Sequence, residues 1–87
     1  MVELRTSRWL RVLAERDPGV LSRVLERFSN LNIIPDRINA VCGRSDQIVI
    51  EIDVTDIPAA TCALIAARIA QLPAVVDSLL DGVESSS

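Results

Sequence analysis

From Ile48 to Val54 the chain alternates without a break, with Ile48, Ile50, Ile52 and Val54 on one side and Val49, Glu51 and Asp53 on the other. A two-residue period of this length, with one side wholly β-branched, belongs to a strand laid on a hydrophobic core. The segment Ile33 to Cys42 also reads as a strand, with Ile38, Ala40 and Cys42 on one face and Arg37, Asn39 and Val41 on the other. Between the two lies Gly43-Arg44-Ser45-Asp46, which is turn chemistry, so the pair forms a hairpin. Pro35 makes the beginning of the first arm irregular or edge-like, because proline cannot donate to a ladder.

The rest of the chain supplies what that hairpin needs. Residues 4–14 alternate as well, with Leu10, Val12 and Ala14 opposite Trp9, Arg11 and Leu13, and read as the first strand. Val20, Leu21, Val24, Leu25, Phe28 and Leu31 then form one apolar stripe of helical period, with Asp17 as the expected N-cap, Pro18 at the first helical position, and Ser29-Asn30 at the end. Thr55-Asp56 and Pro58 open a second helix carrying Cys62, Ile65, Ala66, Ile69 and Leu72, which Pro73 stops. Val75 to Leu80 make a last short strand, and residues 83–87 read as a frayed tail. Strand, helix, strand, strand, helix, strand predicts an α+β, ferredoxin-like βαββαβ fold: a four-stranded antiparallel sheet with two helices on one face. At 87 residues it is a single domain, 1–87, with a core of about 4–82, small enough that pairing with a second copy is expected to help hold it.

Several functions are disfavoured by what the chain lacks. Its nine basic residues are arginines scattered from Arg5 to Arg68, with a net charge of −3, so no basic stripe is available for nucleic acid. The longest apolar run, Cys62 to Ala67, is too short to span a bilayer, and Met1-Val2-Glu3-Leu4-Arg5 lacks a secretory pattern, which predicts a cytoplasmic protein without membrane contact. There is no histidine, lysine or tyrosine, so the commonest general base and the Schiff-base former are missing, and no catalytic group is assigned. Cys42 and Cys62, twenty residues apart with no histidine, do not suit a metal, and both are expected to be buried as small hydrophobes. No cofactor is expected.

The turn Glu15-Arg16-Asp17-Pro18-Gly19-Val20-Leu21 carries the best candidate site. It delivers the chain from a strand end to a helix start, where unpaired N–H groups and the helix dipole favour an anion. Gly19 leaves that backbone open, so a carboxylate could dock on the Val20 and Leu21 N–H groups, with Asp17 or Asn32 available for an ammonium. The same residues equally suit a capped helix and a tight turn with no ligand.

At these residues the chain resembles the ACT family of amino-acid-sensing domains, whose first loop has an Asp or Asn and then Pro-Gly followed by two apolar residues. The likeness continues through Val20-Leu21-Ser22-Arg23-Val24 and the pair Asn32-Ile33, and in element order it covers residues 9–82. In wording it is most similar to the small regulatory subunits of acetolactate synthase, where Gly-x-Leu-Ser-Arg-Val and an Asn-Ile pair stand in corresponding places. The resemblance implies a homodimer whose sheets or helices pair side by side, with a small effector such as a branched-chain amino acid at the interface. By it, Gly19 with the Val20 and Leu21 backbone takes the effector's carboxylate, and Asn32 and Ile33 approach from the neighbouring strand or subunit. The catalytic subunit of a biosynthetic enzyme is the implied larger partner. One position departs from the pattern: effector-binding members have Asn or Asp three residues before the glycine, where this chain has Arg16 and carries its acid at Asp17. Arg16 suits an anionic group or a partner protein, so an activating subunit that has lost its effector is the alternative reading.

Trp9 and Arg11, on the strand face opposite the expected core, are candidate interface residues, since tryptophan is a frequent interface anchor. Glu51 and Asp53 on that face are expected to pair across strands with Arg11 or Arg37 and not to act as an acid–base pair. An acylphosphatase-like hydrolase shares the element order, but its phosphate-cradling loop, with an arginine following a phenylalanine, has no counterpart at Arg16 to Leu21. An RNA-recognition module would stack bases on sheet aromatics, and only Trp9 and Phe28 are aromatic here. A metallochaperone would need a Cys-x-x-Cys loop, which is absent.

Overall fold

The alternating segments form strands and the two apolar stripes form helices in a computed structural model that describes residues 7–43 and 46–81 and the backbone of 83–84. The order is β1 (Ser7–Glu15), α1 (Val20–Ser29), β2 (Arg37–Cys42), β3 (Gln47–Thr55), α2 (Ala59–Ala70), β4 (Val75–Leu80) and a two-residue β5 (Val83–Glu84). The expected ferredoxin-like arrangement is therefore present, in a fully antiparallel sheet of order β2-β3-β1-β4-β5. Val83–Glu84 lengthen the sheet by pairing with Leu80 and Leu79, at a place where a frayed tail was expected to begin. Residues 4–6 of the expected first strand, Arg44-Ser45 of the turn and 85–87 of the tail lie outside the described residues.

The core follows from register. Leu10 faces Ile52, Val12 faces Ile50 and Ala14 faces Ile48 across β1 and β3, so one side of the central strands is a continuous aliphatic floor. Val20, Val24 and Phe28 of α1 close over it together with Cys62, Ile65, Ala66 and Ile69 of α2, and all of these are buried. α1 is the strongly two-sided helix, while the more apolar α2 packs closely along β4. On the β4 side the pairing slips between Leu13 and Ala14, a bulge that brings Val75 against the core and leaves Val76 57% exposed.

β2 departs most from expectation. Its pairing begins at Arg37, not Ile33, because Pro35 has no N–H to offer; the first link is the Asp36 N–H donating to the Asp53 carbonyl at 2.8 Å. Ile38, Ala40 and Cys42 point to the core side as the alternation required, yet all six residues of β2 are exposed. The helices' buried side chains meet β1 and β3 and leave the β2 row open. The expectation that both cysteines are buried is corrected accordingly: Cys62 is buried and Cys42 is exposed.

Ile52 stands at 1% exposure under both helices, so Ile52→Ala is expected to lower unfolding stability by about 2–5 kcal/mol through lost transfer energy and the cavity left behind. Leu64→Ala, at a 43% exposed position on the outer side of α2, is expected to stay within about 0.5 kcal/mol of the parent in the same urea unfolding experiment.

Candidate functional site

The loop from β1 to α1 is fastened at two points before the helix begins. The Glu15 N–H donates to the Ala74 carbonyl at 2.7 Å, and the Arg16 N–H donates to the Asp46 carbonyl at 2.9 Å. The chain then folds on Asp17. Its carboxylate accepts the Gly19 N–H at 3.0 Å and its carbonyl accepts the Val20 N–H at 3.0 Å. The residue at the N-cap is Gly19 and the first helical residue is Val20, so both expected roles lie two positions further along, and Pro18 stands just before the cap. Asp17 still serves the helix start, from further back, because its short side chain reaches the backbone two residues on.

Gly19 has φ −89° and ψ −6°, which any residue adopts. A Cβ there would lie 3.5 Å from the Arg23 guanidinium, an ordinary contact. That guanidinium also stands 3.6 Å from the Asp17 carboxylate. Asp17 is thus engaged by the Gly19 N–H and by Arg23. Beyond the cap, the Leu21 and Ser22 N–H groups meet no acceptor among the described residues, as the start of a helix requires.

Beside this helix start lies a hollow of about 370 Å³ lined by Arg16, Asp17, Pro18, Val20, Leu21, Cys42 and Ile48. Its walls are apolar from Val20, Leu21 and Ile48, and Arg16 has no ion-pair partner among the described residues. A guanidinium beside a helix N-terminus favours an anionic group, and the volume accommodates a small amino acid. Of the sequence candidates, the fold brings Arg16, Asp17, Val20 and Leu21 to this hollow, with Gly19 in the adjoining turn. Asn32 and Ile33 are at the other end of α1, a ten-residue helix about 15 Å long. There Asn32 takes a left-handed conformation, φ 58°, and its N–H returns to the Ser29 carbonyl to finish the helix. Within one chain they do not reach the hollow. Cys42 and Ile48 do, and sequence reasoning missed them. They are directly paired across the hairpin, and the signal was the hairpin register at its turn end.

On the sheet face without helices, Arg11 binds Glu51 at 2.8 and 3.0 Å and lies over the Trp9 ring at 5.7 Å, while Arg37 approaches Asp53 at 3.8 Å. Exposed cross-strand pairs of this kind contribute roughly 0.2–1 kcal/mol each. Inside, a void of about 10 Å³ among Leu10, Phe28, Ile52, Cys62 and Ile65 is too small for an organic ligand. Burial pushes the Cys62 thiol above its ordinary 9.0; Arg8 opposes the shift and Asp81 adds to it. Among the described residues no group of three or more His, Cys, Asp or Glu side chains is placed to hold a metal ion. Among the same residues no helix is long and apolar enough to cross a membrane.

No family model and no curated protein matches the sequence. The fold, by contrast, matches solved structures. The ACT domain of GTP pyrophosphokinase from Chlorobium tepidum superposes with a TM-score of 0.74 at 8% identity, over 88% of this chain and 99% of that one. The C-terminal domain of the MgtC protein from Mycobacterium tuberculosis gives 0.68 at 18% identity, over 85% and 83%. A homoserine dehydrogenase from Thiobacillus denitrificans gives 0.70 at 23% identity, over 93% of this chain and 17% of the enzyme. The chain therefore has an ACT-like fold.

The two thiols should separate cleanly. With a disulfide reagent at neutral pH, Cys42 is expected to react at once and Cys62 only in denaturant, read as one and then two thiols per chain. Because the folded chain holds Cys62 protonated, the unfolded chain loses that proton first. Stability is therefore expected to fall as pH rises past 9.0, and less steeply in Cys62→Ala.

Proposed function

We propose that this chain is a regulatory module that senses a small amino acid and has no catalytic role of its own. The hollow at the mouth of α1 carries the reading: a cavity of about 370 Å³ lined by Arg16, at a helix start whose Leu21 and Ser22 N–H groups have no acceptor among the described residues. In this reading the Leu21 and Ser22 N–H groups and Arg16 take the effector's carboxylate, and Val20, Leu21 and Ile48 receive a branched aliphatic side chain. The ACT-like fold and the Pro18-Gly19-Val20-Leu21 wording support a branched-chain effector and, as the larger partner, a cytoplasmic biosynthetic enzyme such as acetolactate synthase.

The working form is a homodimer joined along β2. The Gly43 N–H donates to the Gln47 carbonyl at 2.8 Å, and alternation along the ladder then turns the N–H and C=O groups of Ile38, Ala40 and Cys42 outward to the open edge. The uncovered apolar row consists of the same three residues. Antiparallel pairing of two such edges about Ala40 sets Ile38 opposite the partner's Cys42 and makes the row continuous. It also carries the partner's Ile33 and its neighbours towards the hollow that Asn32 and Ile33 cannot reach in their own chain.

A second reading has its own observation. Asp17 is already engaged by the Gly19 N–H and Arg23, so the hollow offers no free carboxylate for an ammonium. A subunit that activates a catalytic chain without sensing an effector would look the same.

Calorimetric titration with valine, leucine and isoleucine tests the first reading. Binding in the micromolar to millimolar range is expected, weakened at least tenfold by Arg16→Glu; heat-silent titrations at millimolar ligand, with unchanged melting temperature, leave the activating subunit. Ala40→Pro removes an N–H that the β2–β3 ladder does not use, so the variant should fold and lose the edge-paired dimer in sedimentation.

A further inference from the structure

The helix-free face of the sheet has its own pattern. Reading across the strands, one row is Arg37, Asp53 and Trp9, the next is Asn39, Glu51, Arg11 and Leu79, and the third is Val41, Val49, Leu13 and Asp77. The face is charged and aromatic towards the Trp9 end and aliphatic towards the Leu13 end. Trp9 is 37% exposed and Val41 53% exposed. Arg11 forms a ridge between two shallow hollows of about 150 and 190 Å³, one reaching Trp9 and the other Leu13 and Val49.

We propose that this face docks a second copy of the chain, stacked sheet on sheet about a two-fold axis that runs parallel to the strands between β1 and β3. Stacked sheets interdigitate about 10 Å apart with their strands within roughly 30°. An axis along the strands keeps each row over its own counterpart while exchanging β1 with β3. Arg11 then lies over the partner's Glu51, Glu51 lies over the partner's Arg11, and Leu13 meets the partner's Val49. An axis across the strands would set Arg11 over the partner's Arg11 and Glu51 over the partner's Glu51, two like-charge contacts that oppose docking. Charge therefore selects one orientation. The Arg11 ridges of the two copies enter each other's hollows, and Trp9 is withdrawn from water. This contact is separate from the hollow at α1 and from the β2 edge, so it stands or falls independently of the sensing reading.

The test uses the full chain in sedimentation equilibrium at low salt, with emission from Trp9, the only tryptophan in the sequence, followed on the same samples. Arg11→Glu makes the face acidic and Glu51→Arg makes it basic. Each is expected to lower the mass reached by the unmodified chain and to shift Trp9 emission to the red, with circular dichroism unchanged. An equimolar mixture of the two variants is expected to regain both mass and emission, because an acidic face then meets a basic one. If either variant fails to fold, a salt series on the unmodified chain decides, with the mass expected to fall as salt screens the crossed pairs. The proposal is overturned by an unmodified chain whose face-dependent mass never appears, by reversals that leave the mass unchanged, by a mixture that stays at the lower mass, or by a salt series without effect.

Discussion

The antiparallel pairing of β1 with β3, nine residues long from Ser7 opposite Thr55 to Glu15 opposite Gln47, is the constraint on which the rest depends. A one-residue slip of β1 along β3 would send Leu10 and Val12 to the solvent side and bring Arg11 under the helices, where unpaired charge is costly. The two-sidedness of both strands fixes the register. Once it is fixed, the helices have one floor to cover, and the chain that leaves β1 at Glu15 has to turn over the end of the hairpin. That turn places the start of α1 beside Cys42 and Ile48.

Most of the fold was legible because its elements are two-sided. β3 announced itself through Ile48 to Val54, α1 through Val20, Val24 and Phe28, and α2 through Cys62, Ile65, Ala66 and Ile69, all by period alone. β2 misled for an instructive reason. Ile38, Ala40 and Cys42 alternate as a core-facing row should, but alternation says which way a side chain points and not whether anything lies over it. Covering β2 depends on how far the helices extend across the sheet, a tertiary property absent from any window of the sequence. The cap was misplaced on similar grounds: Asp17, Pro18 and Gly19 each suit a helix start, and only the hydrogen bond from the Gly19 N–H to the Asp17 side chain decides their order.

The candidate site was half legible. Arg16 to Leu21 are contiguous, so their proximity needs no fold. Cys42 and Ile48 join them through hairpin pairing, and Asn32 and Ile33 are excluded by the length of α1. The charge environment could not be read from composition either. Asp17 is an acid in a loop by sequence, but in the fold it is partnered by backbone and by Arg23, whereas Arg16, which breaks the resemblance, has no ion-pair partner among the described residues.

The two backbone bonds that hold the β1–α1 loop, from Glu15 to Ala74 and from Arg16 to Asp46, have a dynamic consequence. They tie the rim of the hollow to the approach to β4 on one side and to the β2–β3 turn on the other, so this loop cannot open without loosening elements that are far apart in sequence. An occupant that steadied Arg16 would slow amide exchange at Glu15 and Arg16 together, the two N–H groups that these bonds protect. Its presence would be felt as a loss of local opening at the hairpin tip, the end of the sheet from which β2 offers its unpaired edge.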